Sequence, residues 1–152
     1  MYVWSHLIFS FLATLSYGVL FNVPKKALIT AGFIGMSGWL LVQGAIYYFS
    51  FSYIGAALIA SFVVASISQL ASKQTKMPST NFSIAGIIPL VPGAMAYRTM
   101  RSFVDGRYVE GLSLATETLL SAGAIAAGLM FSLAIFLKGK GMDWRHGAKR
   151  SQ

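Results

Sequence analysis

The sequence predicts an all-α integral membrane protein with about five transmembrane helices, and three observations carry this. Only 11% of the 152 residues are charged and 56% are hydrophobic, where a soluble domain carries about 25% charged residues. No charged side chain occurs from Met1 to Pro24 or from Ala27 to Ser72. The apolar stretches are of helix length, and short polar or basic connections separate them.

The first helix is expected over residues 2–21. Tyr2 and Trp4 suit a membrane interface, and His6 lies beside them as a local hydrogen-bonding group. This end lacks a basic n-region and a cleavage site, so it reads as a mature helix rather than a signal. Asn22-Val23-Pro24-Lys25-Lys26 closes it, with Pro24 suited to a helix start. The second helix is expected over 27–49, where Gly32, Gly35, Gly38 and Gly44 let a neighbour approach closely. Aromatics from Tyr47 to Tyr53 mark a short, uncharged turn. The third helix is expected over 52–72, with serines that bond back to helix carbonyls or to a neighbour. Thr80 or Asn81 is the expected N-cap of the fourth segment.

That fourth segment, 81–98, is the one the chain is organised around. Pro89, Pro92 and Gly93 fall within five residues, so a continuous helix is not expected there. As pure helix it would reach about 26 Å, short of a core about 30 Å thick. Unwinding Pro89 to Gly93 lengthens it to about 34 Å, enough to span. The fifth helix is expected over 112–137, with a small-residue face from Ser121 to Gly128. Residues 138–152 form a basic tail with Lys138, Lys140, Arg145, Lys149 and Arg150. The whole, 1–152, reads as a single transmembrane domain.

Charge sets the expected orientation. Five crossings put nine of the twelve Lys and Arg residues on one side and Arg98, Arg101 and Arg107 on the other. The positive-inside rule then places the N-terminus out and the C-terminus in. A fourth segment that re-enters would divide the same charges seven to five, a weaker asymmetry.

Several function classes fall away. The formal net charge is +8, but the basic residues lie between and after apolar segments and form no patch for nucleic acid. Cys is absent, which excludes thiol catalysis and thiolate metal sites. His6 and His146 lie at opposite ends, and no HExxH, paired-Asp or P-loop pattern occurs. No enzyme, metal or cofactor is expected.

Two motifs stand out: Gly18-Val19-Leu20-Phe21-Asn22-Val23-Pro24 with Ala27-Leu28, and Ile88-Pro89-Leu90-Val91-Pro92-Gly93 with Ala96-Tyr97 and Met100. In this order and spacing the chain resembles the threonine/serine exporter family, and in particular its small YjjB-type membrane subunit. The resemblance runs from about Tyr17 to Leu137. It implies half of a secondary transporter in the bacterial inner membrane, working with a second multi-pass subunit, a homo-oligomer, or both. It also implies export of small amino acids such as threonine and serine, or of a dicarboxylate such as succinate.

The break offers the matching chemistry. A helix opened by Pro92 and Gly93 directs N–H groups and its dipole at a carboxylate. Carbonyls from Ile88 to Val91 suit an ammonium or a coupling cation. Tyr97, Arg98 and Arg101 are further candidates for the substrate; Arg98 and Arg101 share a helix face, and the competing reading pairs Arg101 with Asp105 or sets both arginines at lipid headgroups. Glu117 is the acid expected in a span, either carrying a coupling proton or pairing with an arginine such as Arg98. An alternative for the whole chain is a non-transporting assembly subunit, which the Gly/Ala/Ser faces fit equally.

Overall fold

A computed structural model describes residues 2–147, with side-chain surroundings for residues 4–138. Lys149 and Arg150 of the expected tail lie outside the described residues, as do the side chains of Tyr2, Lys140, Arg145 and His146. The described residues are helices and turns: α1 (Tyr2–Leu20), α2 (Lys25–Phe49), α3 (Tyr53–Thr75), α4 (Thr80–Ile87), a 3₁₀ turn (Ile88–Leu90), α5 (Gly93–Val104) and α6 (Tyr108–Gly147).

The turns have local chemical causes. Asn22 takes the left-handed conformation at φ 55°. The Val23 N–H then reaches the Gly18 carbonyl at 2.8 Å and the Asn22 N–H reaches the Val19 carbonyl at 3.1 Å. This is a Schellman ending, satisfying two of α1's last carbonyls. Pro24 comes next, as the N-cap of α2. Ser52 caps α3, its hydroxyl accepting from the Gly55 N–H at 3.4 Å. Gly106, at φ 76°, ends α5 in the same Schellman pattern, with Arg107 N–H on the Ser102 carbonyl at 2.8 Å and Gly106 N–H on the Phe103 carbonyl at 3.1 Å.

Small residues set the packing. α1 and α2 run antiparallel, with Phe11 over Gly32, Thr14 over Gly35 and Leu28 over Gly18. α4 lies against α2 and α3; a Cβ on Gly86 would sit 2.8 Å from Ile34 and 3.2 Å from Val64. Phe82 and Ala85 bury fully there beside Ala27, Ala31 and Ala71. α6 runs parallel to α3. Gly128 lies against the backbone of Leu58 and Phe62, Ser132 Oγ is 3.0 Å from Ser66 Oγ, and Lys73 Nζ is 5.2 Å from the Phe136 ring centre. Gly44, by contrast, is approached by no neighbour.

These registers fix the two ends. Lys25, Lys26, Lys73, Lys76 and Lys138 gather at one, with the start of α4. The α2–α3 turn and the α5–α6 turn lie toward the other. α6 begins about twelve residues before the level of Tyr53, so it overshoots α3 by about 18 Å. α5 packs antiparallel on that overhang, with Thr99 Oγ1 3.4 Å from Thr118 Oγ1. The result is a helical hairpin projecting beyond the bundle.

Some boundaries differ from expectation. Segment 4 loses only Val91 and Pro92 from helical structure, and it gains reach by running α5 on to Val104. Pro89 is tolerated because it opens the 3₁₀ turn, where no donor is required of it. The N-cap of α4 is Ser79 rather than Thr80 or Asn81; the carbonyls of Pro78 and Ser79 take the first N–H groups instead of a side chain. α6 starts at Tyr108, four residues before 112, because the Gly106 turn is so tight, and it continues to Gly147 through the stretch expected as tail. Among the described residues, three helices are long and apolar enough to cross a membrane, namely Lys25–Phe49, Tyr53–Thr75 and Tyr108–Lys138. Trp4–Leu20 and Thr80–Leu90 are apolar but shorter.

Candidate functional site at the broken helix

The break is built from two proline devices in series. Ile88–Leu90 tightens to a 3₁₀ turn, and Val91 then goes extended at φ −64° and ψ 129°. Pro92, at φ −77° and ψ 50°, forms an inverse γ-turn in which the Gly93 N–H donates to the Val91 carbonyl at 2.8 Å. α5 starts there, and the Ala96 N–H closes its first turn on the Pro92 carbonyl at 3.0 Å.

Breaking the helix frees carbonyls, and one has a specific partner. The Tyr53 hydroxyl, at the start of α3, donates to the Leu90 carbonyl at 3.0 Å. The Leu90 side chain anchors the same point: it is 1% exposed, among Val42, Ala56, Ala57, Ala60 and Ile125. Gly38 makes room for it, since a Cβ there would lie 2.8 Å from Leu90 Cδ1. The break therefore sits in the half of the bundle nearer the α2–α3 turn, held from α2 and α3.

The expected site residues divide. Pro89 is half-buried and Pro92 buried, while Gly93 is exposed with nothing within 4 Å of the place its Cβ would take. The Gly93 N–H is already used by Val91, so Ala94 and Met95 provide the donors left without an intrahelical carbonyl in the first turn. Tyr97, Arg98 and Arg101 are exposed and lie farther along α5, about 6, 8 and 12 Å beyond Gly93. Arg101 Nε is 3.7 Å from Asp105 Oδ2. Arg107 ties Asp105 at 3.0 Å and Glu110 at 2.7 Å. Glu117 is exposed on the hairpin, about two helical turns outward of the level of Gly93, and forms no ion pair with Arg98 among the described residues.

Sequence reasoning missed Tyr53, which read as one more interfacial aromatic. Nothing local distinguishes it, because its partner is 37 residues away. A second concavity has no signature in the sequence either. His6 stacks on Trp39, with ring centres 5.5 Å apart and planes at 19°. Together with Gln43, Gly44, Tyr47 and Tyr48 they line a groove of about 600 Å³ between α1 and α2.

The chain is similar to known proteins over most of its length. A family model described as "Threonine/Serine exporter, ThrE" matches residues 6–135. An uncharacterized protein of Haemophilus influenzae is 25% identical over 142 residues, covering 88% of this chain and 48% of that protein. A threonine/serine exporter of Corynebacterium glutamicum is 30% identical over 108 residues, covering 69% of this chain and 21% of that protein. The chain thus spans about half of the first relative and about a fifth of the second. No solved structure matches.

Proposed function

The chain belongs to the threonine/serine exporter family, and from that premise we propose that it is one half of a secondary transporter exporting a small amino acid such as threonine or serine, or a dicarboxylate such as succinate. The family is one of transporters, so the chain is a multi-pass membrane protein of transport and not an enzyme. In the proposed arrangement α1, α2, α3, the α4–α5 segment and α6 make five crossings of a bacterial inner membrane. The lysine-rich end faces the cytoplasm, which sets the N-terminus out and the C-terminus in. The second half comes from another multi-pass subunit, another copy of the chain, or both.

The observation that carries this reading is the break itself. Irregular backbone at membrane depth persists where protein covers it or where it lines a cavity, and broken helices are a recurring way to build a solute site. Here the Leu90 carbonyl is satisfied by Tyr53. The Ala94 and Met95 N–H groups, left without an intrahelical carbonyl, follow the exposed Gly93 at the start of α5. They are suited to the carboxylate that threonine, serine and succinate share. Pro89, Pro92 and Gly93 shape this site. Tyr97, Arg98 and Arg101 lie along the outward path from it. Glu117, exposed on the hairpin at the level of Arg101, is the acid proposed to carry a coupling proton.

Proteoliposomes loaded with serine, threonine or succinate test the proposal. Gly93→Ala meets no neighbour, so a loss of efflux in that variant reports on backbone access rather than on packing. We expect Pro92→Ala and Gly93→Ala to lose efflux while the complex still assembles in mild detergent. Unchanged efflux in both would sink the site. Loss of assembly in place of efflux would favour a scaffold subunit.

A further inference from the structure

We propose that the groove between α1 and α2 is a second binding station, specific for a primary ammonium group. Three features of the groove argue for it. Its walls are aromatic: Trp39, Tyr47 and Tyr48, with His6 stacked on Trp39 at 5.5 Å. Its lining carries the Gln43 amide and no lysine, arginine or acid. Among the described residues, no side-chain hydrogen bond engages the Gln43 amide or the Trp39 indole N–H. Gln43 is exposed and Trp39 half-buried on this outer face of α2, so both polar groups are free to meet a ligand from outside the chain.

The wall chemistry selects the ligand. Ring faces attract a cation, most strongly when it is partly desolvated, and aromatic cages serve ammonium groups in this way. The Gln43 carbonyl accepts one ammonium N–H. A carboxylate finds no fixed positive charge in the lining. Gly44, with nothing within 4 Å of its Cβ position, leaves the floor open.

The groove is distinct from the break. Gly38 and Val42 pack against Leu90, while the adjacent Trp39 and Gln43 line the groove. The two places therefore lie at one depth on different faces of α2. Adjacent residues point about 100° apart around the helix, so the body of α2 stands between the two places. One small amino acid cannot reach both, so the groove is a separate stop. The inference rests on the transport reading only for the identity of the free ligand; an amine-bearing lipid headgroup has the same chemistry.

Equilibrium binding to the purified chain in detergent tests it, with L-serine, ethanolamine and succinate as probes. Ethanolamine has no carboxylate for the break and reads the groove alone: serine should displace it, and succinate should not. Trp39→Ala and Gln43→Leu should each weaken binding about tenfold or more. Trp39→Phe, which keeps a ring face, should stay within about threefold and so separates recognition from packing. In nanodiscs, ethanolamine binding seen in phosphatidylglycerol but displaced in phosphatidylethanolamine would make the lipid headgroup the occupant. Binding equal in both lipids would make it the free amino acid. Succinate displacing ethanolamine as well as serine does, wild-type binding no ammonium probe, or Trp39→Ala binding ethanolamine normally would overturn the inference. Efflux that persists while wild-type binds no ammonium would overturn the station and leave the transport reading standing. Ammonium binding without efflux would do the reverse.

Discussion

The Tyr53 hydroxyl donates to the Leu90 carbonyl at 3.0 Å, across 37 residues of sequence. That contact joins the first turn of α3 to the last turn before the helix breaks. Tyr53→Phe keeps the ring and removes the donor. The carbonyl then lacks its partner in a half-buried setting, which costs about 1–2 kcal/mol. Thermal unfolding in detergent should show a lower midpoint. An unchanged midpoint would mean that water or another group satisfies Leu90 equally well.

The α1–α2 turn yields a second prediction. Asn22 holds φ 55°, where glycine is at ease and a residue with a Cβ is strained. Asn22→Gly should leave stability within a few tenths of a kcal/mol, while Asn22→Val should lower it by about 1–2 kcal/mol. Equal melts for the two variants would show that the left-handed conformation is not what the position requires.

Gly123 and Gly128 lie five residues apart on α6 and face different surroundings. A Cβ on Gly128 would lie 2.6 Å from the Leu58 carbonyl oxygen and 3.0 Å from the Phe62 nitrogen, which are backbone atoms that cannot swing aside. A Cβ on Gly123 would meet nothing within 4 Å. Gly128→Ala should therefore push α6 off α3, at about 1–3 kcal/mol, and Gly123→Ala should be neutral or slightly stabilising for the isolated chain. Melting curves of the two single variants decide it.

That pair also shows what the sequence made legible. Glycine and alanine runs predicted close helix packing, and packing occurs at Gly32, Gly35, Gly38 and Gly128. Composition cannot say which glycine faces a neighbour, so Gly44 and Gly123 looked the same as the others. The break near Pro89–Gly93 was legible because proline removes a donor whatever the fold. Its extent was not, since the inverse γ-turn at Pro92 restores bonding within two residues. The overhang of α6 was hidden for another reason. It depends on the α3–α6 register, set by Ser66 with Ser132 and by Gly128 against Leu58. Arg98 and Glu117 are candidates by residue type and position along the chain, and where the α5–α6 hairpin holds them relative to the break is a tertiary fact.

The last prediction couples the proline to the tyrosine. With an N–H and ordinary backbone freedom at position 92, the chain can run helically from α4 into α5. In that continuous helix the Leu90 carbonyl accepts from the N–H four residues on, at Ala94. Tyr53 would then lose its acceptor. Pro92→Ala and Tyr53→Phe thus remove the same long-range bond by different routes, and their effects should not add. In the Pro92→Ala background, Tyr53→Phe should cost less than about 0.5 kcal/mol, against about 1–2 kcal/mol in the native background. Four melting curves close this cycle. Full additivity would show that the break persists without Pro92, held by the packing of Leu90 among Val42, Ala56 and Ala60.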